Sequence, residues 1–426
     1  MSADLLDRPD PADAHAPPRP VSPSGRLEVF YVYDLPLPSP LAAPIQILNT
    51  CRALAAAGVP TTVLMGRLEA APEACLAYYG LAPHANLSIR PVFVRPLKRA
   101  LLPLRLRRAL ISGRREAAVR AVISRGESGL MVAEALGRAR STRFVYEAHR
   151  LCFAHAAERL SGARWRAGAP LPRAARKLRE RERRAIARAD GVICLTAGVE
   201  AALREEFGLD RPVLTLPSGT MVDPPAAGPR ERDIDVLYVG KLELRKGAPH
   251  LIAAMRELPG RRLCMVGGSA EQVEACRALA QRCGVGDRVD CVGFVEPARV
   301  SAFLARAKVG VCPLPDGTSV VSERFTSPMK LLEMMAHGLP VVASDLPSTR
   351  AVVRHEREAL LTPPNDAPAL AAAVARLLDD PALGERLAAA ARVRVGAFAW
   401  DERARRLREF LERIAQAPAF AAGARD

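Results

Sequence analysis

Two kinds of stretch alternate along this chain. Short runs of Val, Ile, Leu and Tyr with few polar interruptions are separated by longer stretches in which apolar residues return every third or fourth position. In the first half the short runs are "LEVFYVYD", "TTVLMG", "LSIRPVFV", "GLMVAE", "RFVYEAH" and "GVICLT". In the second they are "VLYVG", "RLCMVG", "VDCVGFV", "VGVCPL", "PVVASD" and "ALLTP". Continuous apolar strands with helices between them predict parallel sheets covered on both faces. One such helix is "IQILNTCRALAAAG", predicted to end at Gly58. Between the halves, Leu216 to Asp235 is rich in Pro, Gly and charge and reads as an interdomain linker. The expected fold class is therefore α/β, two doubly wound Rossmann-like domains facing across a cleft at the carboxyl ends of their strands. The expected divisions are a disordered tail (1–25), a first domain (26–216), a linker (217–234), a second domain (235–395) and a final amphipathic helix (396–416).

Composition narrows this picture. At 426 residues the chain can bury a large core. No apolar run reaches the length of a membrane span. The tail has no positive start and no apolar block, so it reads as neither signal peptide nor anchor. Nine cysteines show no CxxC or CxxH spacing, and most, such as Cys194 and Cys264, sit inside apolar runs. That usage points to a reducing cytosol rather than a disulfide framework or zinc site.

The formal net charge of +16 is unevenly spread. Arg95 to Arg115 and Arg159 to Asp190 are dense in Arg and Leu. A solvated surface, a nucleic-acid face and a face for anionic lipid or phosphate all fit such charge. The aromatic interleaving typical of single-strand binders is missing, which disfavours nucleic acid. Mixed Arg, Leu and Trp165 suit an anionic inner-membrane surface, so peripheral association is an expectation. Pro103 and Pro170 to Pro172 are expected to break these segments.

Candidate chemistry gathers at predicted strand ends. "TSPMKLLEMMAHGLPVVASD" reads as a helix running into a strand, with Ser327 as N-cap and Pro328 in the first turn. Lys330, Glu333 and His337 fall on one stripe, and the opposite stripe is apolar. The helix start with Ser327 and Lys330 suits an anion, and Glu333 suits sugar hydroxyls. His337 reads as a capping cation or a solvent-facing residue. In "YVGKLELRKGAPHL" a strand ends at Gly240, and Lys241, Arg245 and Lys246 follow in a loop that is not a P-loop. Cations after the first strand of a doubly wound domain suit a diphosphate. Gly268 lies in a Gly-Gly turn, and Phe294 follows a strand whose backbone could face a base. Glu147 and His149 end a strand in the first domain, and Thr196 reads as a helix cap. No Asp-x-Asp motif occurs, and no metal site or cofactor is expected.

In this order these motifs resemble the group 1 (family four) retaining glycosyltransferases of the GT-B fold. The resemblance rests on "FVYEAH", "ADGVICLT", "LPSG", "YVGKLELRKG", "VGG", "VGFV", "TSPMKLLEMMAHGLPVVASD" and "FAWDERARRLREFL", and spans about Arg26 to Leu411. It implies a nucleotide-sugar donor held by the second domain and a glycan or lipid-linked acceptor. It implies that Lys241 and Lys246 grip the donor diphosphate, Glu333 binds ribose, and His149 lies near the transferred sugar. It further implies transfer with retention and without metal, and a final helix crossing back to the first domain. One departure stands out. Where the family's Glu-x7-Glu motif has its first glutamate, this chain has Phe325, with Glu323 out of register, so it resembles an "SPxKxxE" variant. A nucleotide-sugar epimerase or phosphorylase on the same fold and a catalytically silent nucleotide-sugar binder are the alternatives.

Overall fold

Every residue of "LEVFYV" is buried, as a strand must be when helices cover both faces of its sheet. This is β1 (Leu27–Val32) of the computed structural model, which describes residues 27–92, 98–111, 119–136, 142–222 and 232–417. The expected tail, residues 223–231 of the expected linker and parts of the Arg95–Arg115 segment lie outside the described residues. Around β1 stand β2 (Thr61–Met65), β3 (Leu87–Pro91), β4 (Val119–Arg125), β5 (Thr142–Ala148), β6 (Gly191–Cys194) and β7 (Val213–Thr215). All pair in parallel, in the order β3-β2-β1-β4-β5-β6-β7. A second parallel sheet holds β8 (Ile234–Val239), β9 (Leu263–Val266), β10 (Val289–Gly293), β11 (Ala307–Cys312), β12 (Val341–Ser344) and β13 (Leu360–Thr362). Its order is β10-β9-β8-β11-β12-β13. The chain reverses its direction of travel across each sheet after the third strand, so crevices open at the carboxyl ends of β1 and β4 and of β8 and β11.

Three sequence expectations are corrected. "GLMVAE" is helix, part of Gly126–Leu136, and the strand is the preceding "VRAVISR". A six-residue apolar run carries no period that separates strand from buried helix. Parallel neighbours β4 and β5 need a crossover, and this helix is it. Pro103 does not end its helix but lies within Lys98–Ile111, where buried Leu102, Leu106 and Leu110 keep one apolar stripe on the sheet. Strand β7, "VLT", was not among the expected strands; three residues give too short a pattern.

Two connections join the halves, and they pair. Thr220 N–H donates to Phe398 O at 2.9 Å, and Trp400 N–H to Thr220 O at 3.2 Å. From there the terminal helix, Trp400–Gln416, lays Ala404, Leu407, Phe410, Leu411 and Ile414 into the core beneath the first sheet.

The halves also meet through Ser319–Phe325, which precedes the helix Met329–Ala336. Phe325 is 1% exposed and, with Val320, belongs to the core cluster of the first half, with Phe153, Val199 and Leu203. Glu323 accepts two hydrogen bonds from Arg164 Nε, at 2.9 and 3.1 Å. Glu158 accepts from Val320 N–H at 3.0 Å and from Ser319 Oγ at 2.9 Å. The side chain in register with the missing glutamate is thus committed to packing across the interface.

Candidate active site

Glycines and one tyrosine shape the second half's strand ends. Gly240 N–H donates to Val266 O at 2.8 Å, and Gly267 N–H to Gly293 O at 2.7 Å. A Cβ on Gly267 would stand 2.3 Å from Gly240 O, so only glycine lets the ends of β8, β9 and β10 approach this closely. The neighbouring Gly268 packs on Leu242. After β8 the chain makes a single 3-10 turn, Leu244–Lys246, closed by Gly247 at φ 80° against Pro313 O. Tyr238 Oη donates to Lys241 O at 2.7 Å and pins the loop from within.

Two ammonium groups converge beside this loop. Lys330 Nζ lies 4.1 Å from the centroid of the Tyr238 ring and against Gly240, buried and with no hydrogen-bond partner. Burial pushes its pKa down. Burial and then the charge of Lys330 bring Lys246 down to about 8. Burial raises Glu333 to about 7, against the pull of Lys330. A buried ammonium without an acceptor is costly, and the cation–π contact offsets only part of that cost. The arrangement is suited to an anion that would complete both lysines.

The other predicted residues take different places. Lys241 and Arg245 are exposed at the rim, 3.7 and 3.4 Å from Glu243. Phe294 follows β10 and is 50% exposed. Ser327 is not the N-cap: the helix begins at Met329, and Ser327 Oγ instead accepts Ser218 N–H at 3.0 Å. A hydroxyl one residue too early for capping is free to hold the linker. Nor is His337 a cation. It is the C-cap, with Nδ1 2.8 Å from Glu333 O, and burial lowers its pKa. Thr196 caps its helix as expected, accepting from Val199 N–H.

In the first half, Glu147 ends β5 as a fully engaged carboxylate. Its Oε1 accepts from His149 Nε2 and from Arg403 Nη2, each at 2.9 Å, and its Oε2 accepts from Tyr31 Oη. Burial alone would raise its pKa, but His149, Arg403 and Arg125 hold it well below the carboxylate range. Burial, then Arg125, lower His149 to about 4, so the imidazole is neutral near pH 7. An ionised carboxylate only accepts, so Nε2 carries the proton and Nδ1 the lone pair. Among the described residues no hydrogen bond or ion pair joins His149 to Lys246. Contact between the halves runs instead through side chains such as Thr196, whose Oγ1 donates to Arg324 O at 3.3 Å. No group of three His, Cys, Asp or Glu side chains among the described residues is placed to hold a metal.

Tyr238, Arg125 and Arg403 were not singled out from the sequence. Arg403 had a signal: with Leu407, Phe410 and Ile414 it falls on the buried stripe of its helix, the wrong face for a solvated arginine.

Two family models match this chain, one in each half. Residues 43–223 match "Glycosyltransferase Family 4" and residues 233–380 match "Glycosyl transferases group 1". A D-inositol 3-phosphate glycosyltransferase of Xylanimonas cellulosilytica is 32% identical over 212 residues, 49% of this chain and 44% of that protein. An alpha-D-kanosaminyltransferase of Streptomyces kanamyceticus is 30% identical over 197 residues, 45% of this chain and 43% of that protein. The chain thus spans less than half the length of these relatives. Among solved structures, the sucrose-phosphate synthase of Thermosynechococcus elongatus superposes with TM-score 0.67 at 23% identity, over 91% of this chain and 99% of that one. Anabaena HepE, solved in complex with UDP, gives 0.66 at 16% identity, over 91% and 100%. With two doubly wound sheets and a match in each half, the chain has the GT-B fold, its first half matching glycosyltransferase family 4 and its second half the glycosyl transferases of group 1.

Proposed function

We propose that this protein transfers a sugar from a nucleotide-sugar donor to a glycan or lipid-linked acceptor, with retention and without a metal. The observation that carries the reading is the Lys246–Lys330 pair, two converging ammonium groups of which Lys330 has no protein acceptor. A donor diphosphate would complete both and so bind where the leaving charge develops. On this reading residues 235–395 hold the donor and 26–216 the acceptor. Lys246, Lys330 and the Gly240 backbone take the phosphates, Glu333 the ribose and Phe294 the base side. Ser327, Lys241, Arg245 and Gly268 act at the margin, and His149 touches the sugar.

In the reaction, the bond from the anomeric carbon to the β-phosphate oxygen breaks, and its electron pair stays on that oxygen. The acceptor oxygen bonds to the anomeric carbon from the same face, and its proton passes to the departing phosphate oxygen. Retention through this route needs no enzyme carboxylate as nucleophile. The carboxylate beside His149 is unsuited to that role, since Glu147 is held by three donors. Closure of the halves would keep water from the donor.

Calorimetry with UDP-, GDP-, ADP- and dTDP-sugars tests donor binding, followed by product analysis with the donor that binds. Failure of all four to bind refutes the reading. Binding without transfer or hydrolysis favours the silent binder, which the packing of Phe325 also suits.

Membrane association is part of the proposal. The helix Lys98–Ile111 turns Leu104, 66% exposed, and Arg107 and Arg108 outward. Arg173, Arg176 and Lys177 are likewise exposed on their helix. Such a face suits anionic lipid. Among the described residues no helix is long and apolar enough to cross a membrane.

A further inference from the structure

Arg403 makes four side-chain hydrogen bonds to groups of the first half and the connection after it, and glycosyl transfer as described above makes no use of it. It comes from the terminal helix, is 3% exposed, and has each of its three guanidinium nitrogens engaged in a hydrogen bond. Nε donates to Thr50 Oγ1 at 3.0 Å, Nη1 to Leu216 O at 2.8 Å and to Pro217 O, and Nη2 to Glu147 Oε1 at 2.9 Å. One arginine therefore touches the helix after β1, the first residues of the interdomain connection, and the carboxylate that holds His149. A lysine could not copy this, because its single ammonium has three N–H groups and cannot span these four separated acceptors.

We propose that Arg403 is a positioning residue for His149. Through Glu147 it fixes the imidazole in the Nε2–H form, and through Leu216 and Pro217 it ties that orientation to the hinge between the halves. Glu147 shares one oxygen between His149 and Arg403, so the arginine neutralises the carboxylate that would otherwise draw a proton onto the ring. The charges acting on His149 are Arg125 at the end of β4, Glu147 on its own strand and Arg403 on the terminal helix, while Tyr31 on β1 closes the second oxygen of Glu147. Movement of Leu216 or Pro217 as the halves part would pull on the same guanidinium. The ring's ability to accept a hydrogen bond through Nδ1 is then coupled to cleft geometry. The consequence for turnover rests on the glycosyl-transfer reading; the imidazole state does not.

The test is long-range proton–nitrogen NMR on histidine-labelled protein from pH 4.5 to 8. The chain has seven histidines, and His149 is assigned by the signal lost in H149Q. The wild type should show His149 as the Nε2–H tautomer with no protonation above pH 5. In R403M the protonation midpoint should rise by at least one pH unit, a tenfold change, and R403K should lie between. An unchanged tautomer and titration in folded R403M overturns the proposal. Should R403M not fold, E147Q decides: mixed His149 tautomers support the proposal and a single Nε2–H form refutes it. In turnover assays R403K should lower kcat while calorimetric affinity for UDP, or whichever diphosphate binds, stays within two-fold. Where the wild type turns over no donor, the transfer reading fails, and the His149 spectrum still decides the role of Arg403.

Discussion

Replacing Phe325 by glutamate would restore the Glu-x7-Glu spacing with Glu333, yet the structure predicts damage rather than repair. The side chain is 1% exposed within the first half's core cluster. Truncating a buried phenylalanine costs about 3–5 kcal/mol. An unpaired carboxylate in its place adds several more, or takes up a proton to avoid them. Glu323, two residues away, already takes Arg164 as its partner. A total near or above ~5 kcal/mol rivals the whole stability of an ordinary domain. F325L, keeping bulk without the ring, should lose about 1.5 kcal/mol or less. Urea unfolding followed by circular dichroism, with scattering to detect parting of the halves, measures both variants. If F325E unfolds within about 1 kcal/mol of the wild type and binds donor more tightly, residue 325 faces the donor and the interface described above is wrong.

K246M should lose ten-fold or more in diphosphate affinity, about 1.4 kcal/mol, yet gain stability at pH 7. A lysine lowered to about 8 is penalised while charged, that is below pH 8, and the penalty fades as pH rises towards its ordinary value of 10.5. E333Q should gain stability only as pH rises from 5 to 8. The raised carboxyl at about 7 is penalised when ionised, and pH-dependent denaturation should show ~3 kcal/mol at pH 8 and little at pH 4.5. Gly247 and Gly317 have φ of 80° and 76°, but a Cβ meets Pro313 O at 1.6 Å in the first and open space in the second. G317A should therefore cost about 1 kcal/mol, and G247A clearly more, with loss of donor binding by calorimetry. L104E should weaken cosedimentation with anionic vesicles, and wild-type protein that stays in the supernatant even at low salt would end the membrane proposal.

The loop after β8 was legible because its signals are local. A strand that stops at Gly240, cations after it, and a helix carrying Lys330 and Glu333 are all spaced within one turn or one loop. The "GLMVAE" helix was not legible, because an apolar run fits strand or buried helix until its neighbours are known. His337 illustrates the same limit for charge: the sequence gives an imidazole near a helix end, and burial makes it neutral. Lys330 was expected to face a phosphate. Its position over the Tyr238 ring depends on a residue 92 positions earlier, a contact no helical period reports.

By itself the sequence determined the alternation of parallel strands and helices, the two-sheet division, and which strand ends carry cations. Periodicity and turn residues act over a few positions, and those features need no more. Only the tertiary structure decided that Phe325 packs into the opposite half, that Ser327 holds Ser218, and that Arg403 meets Glu147 across 256 positions of chain. Such partners are chosen by which buried groups must satisfy one another once the sheets are assembled. That requirement exists in the folded interior and leaves no spacing along the chain.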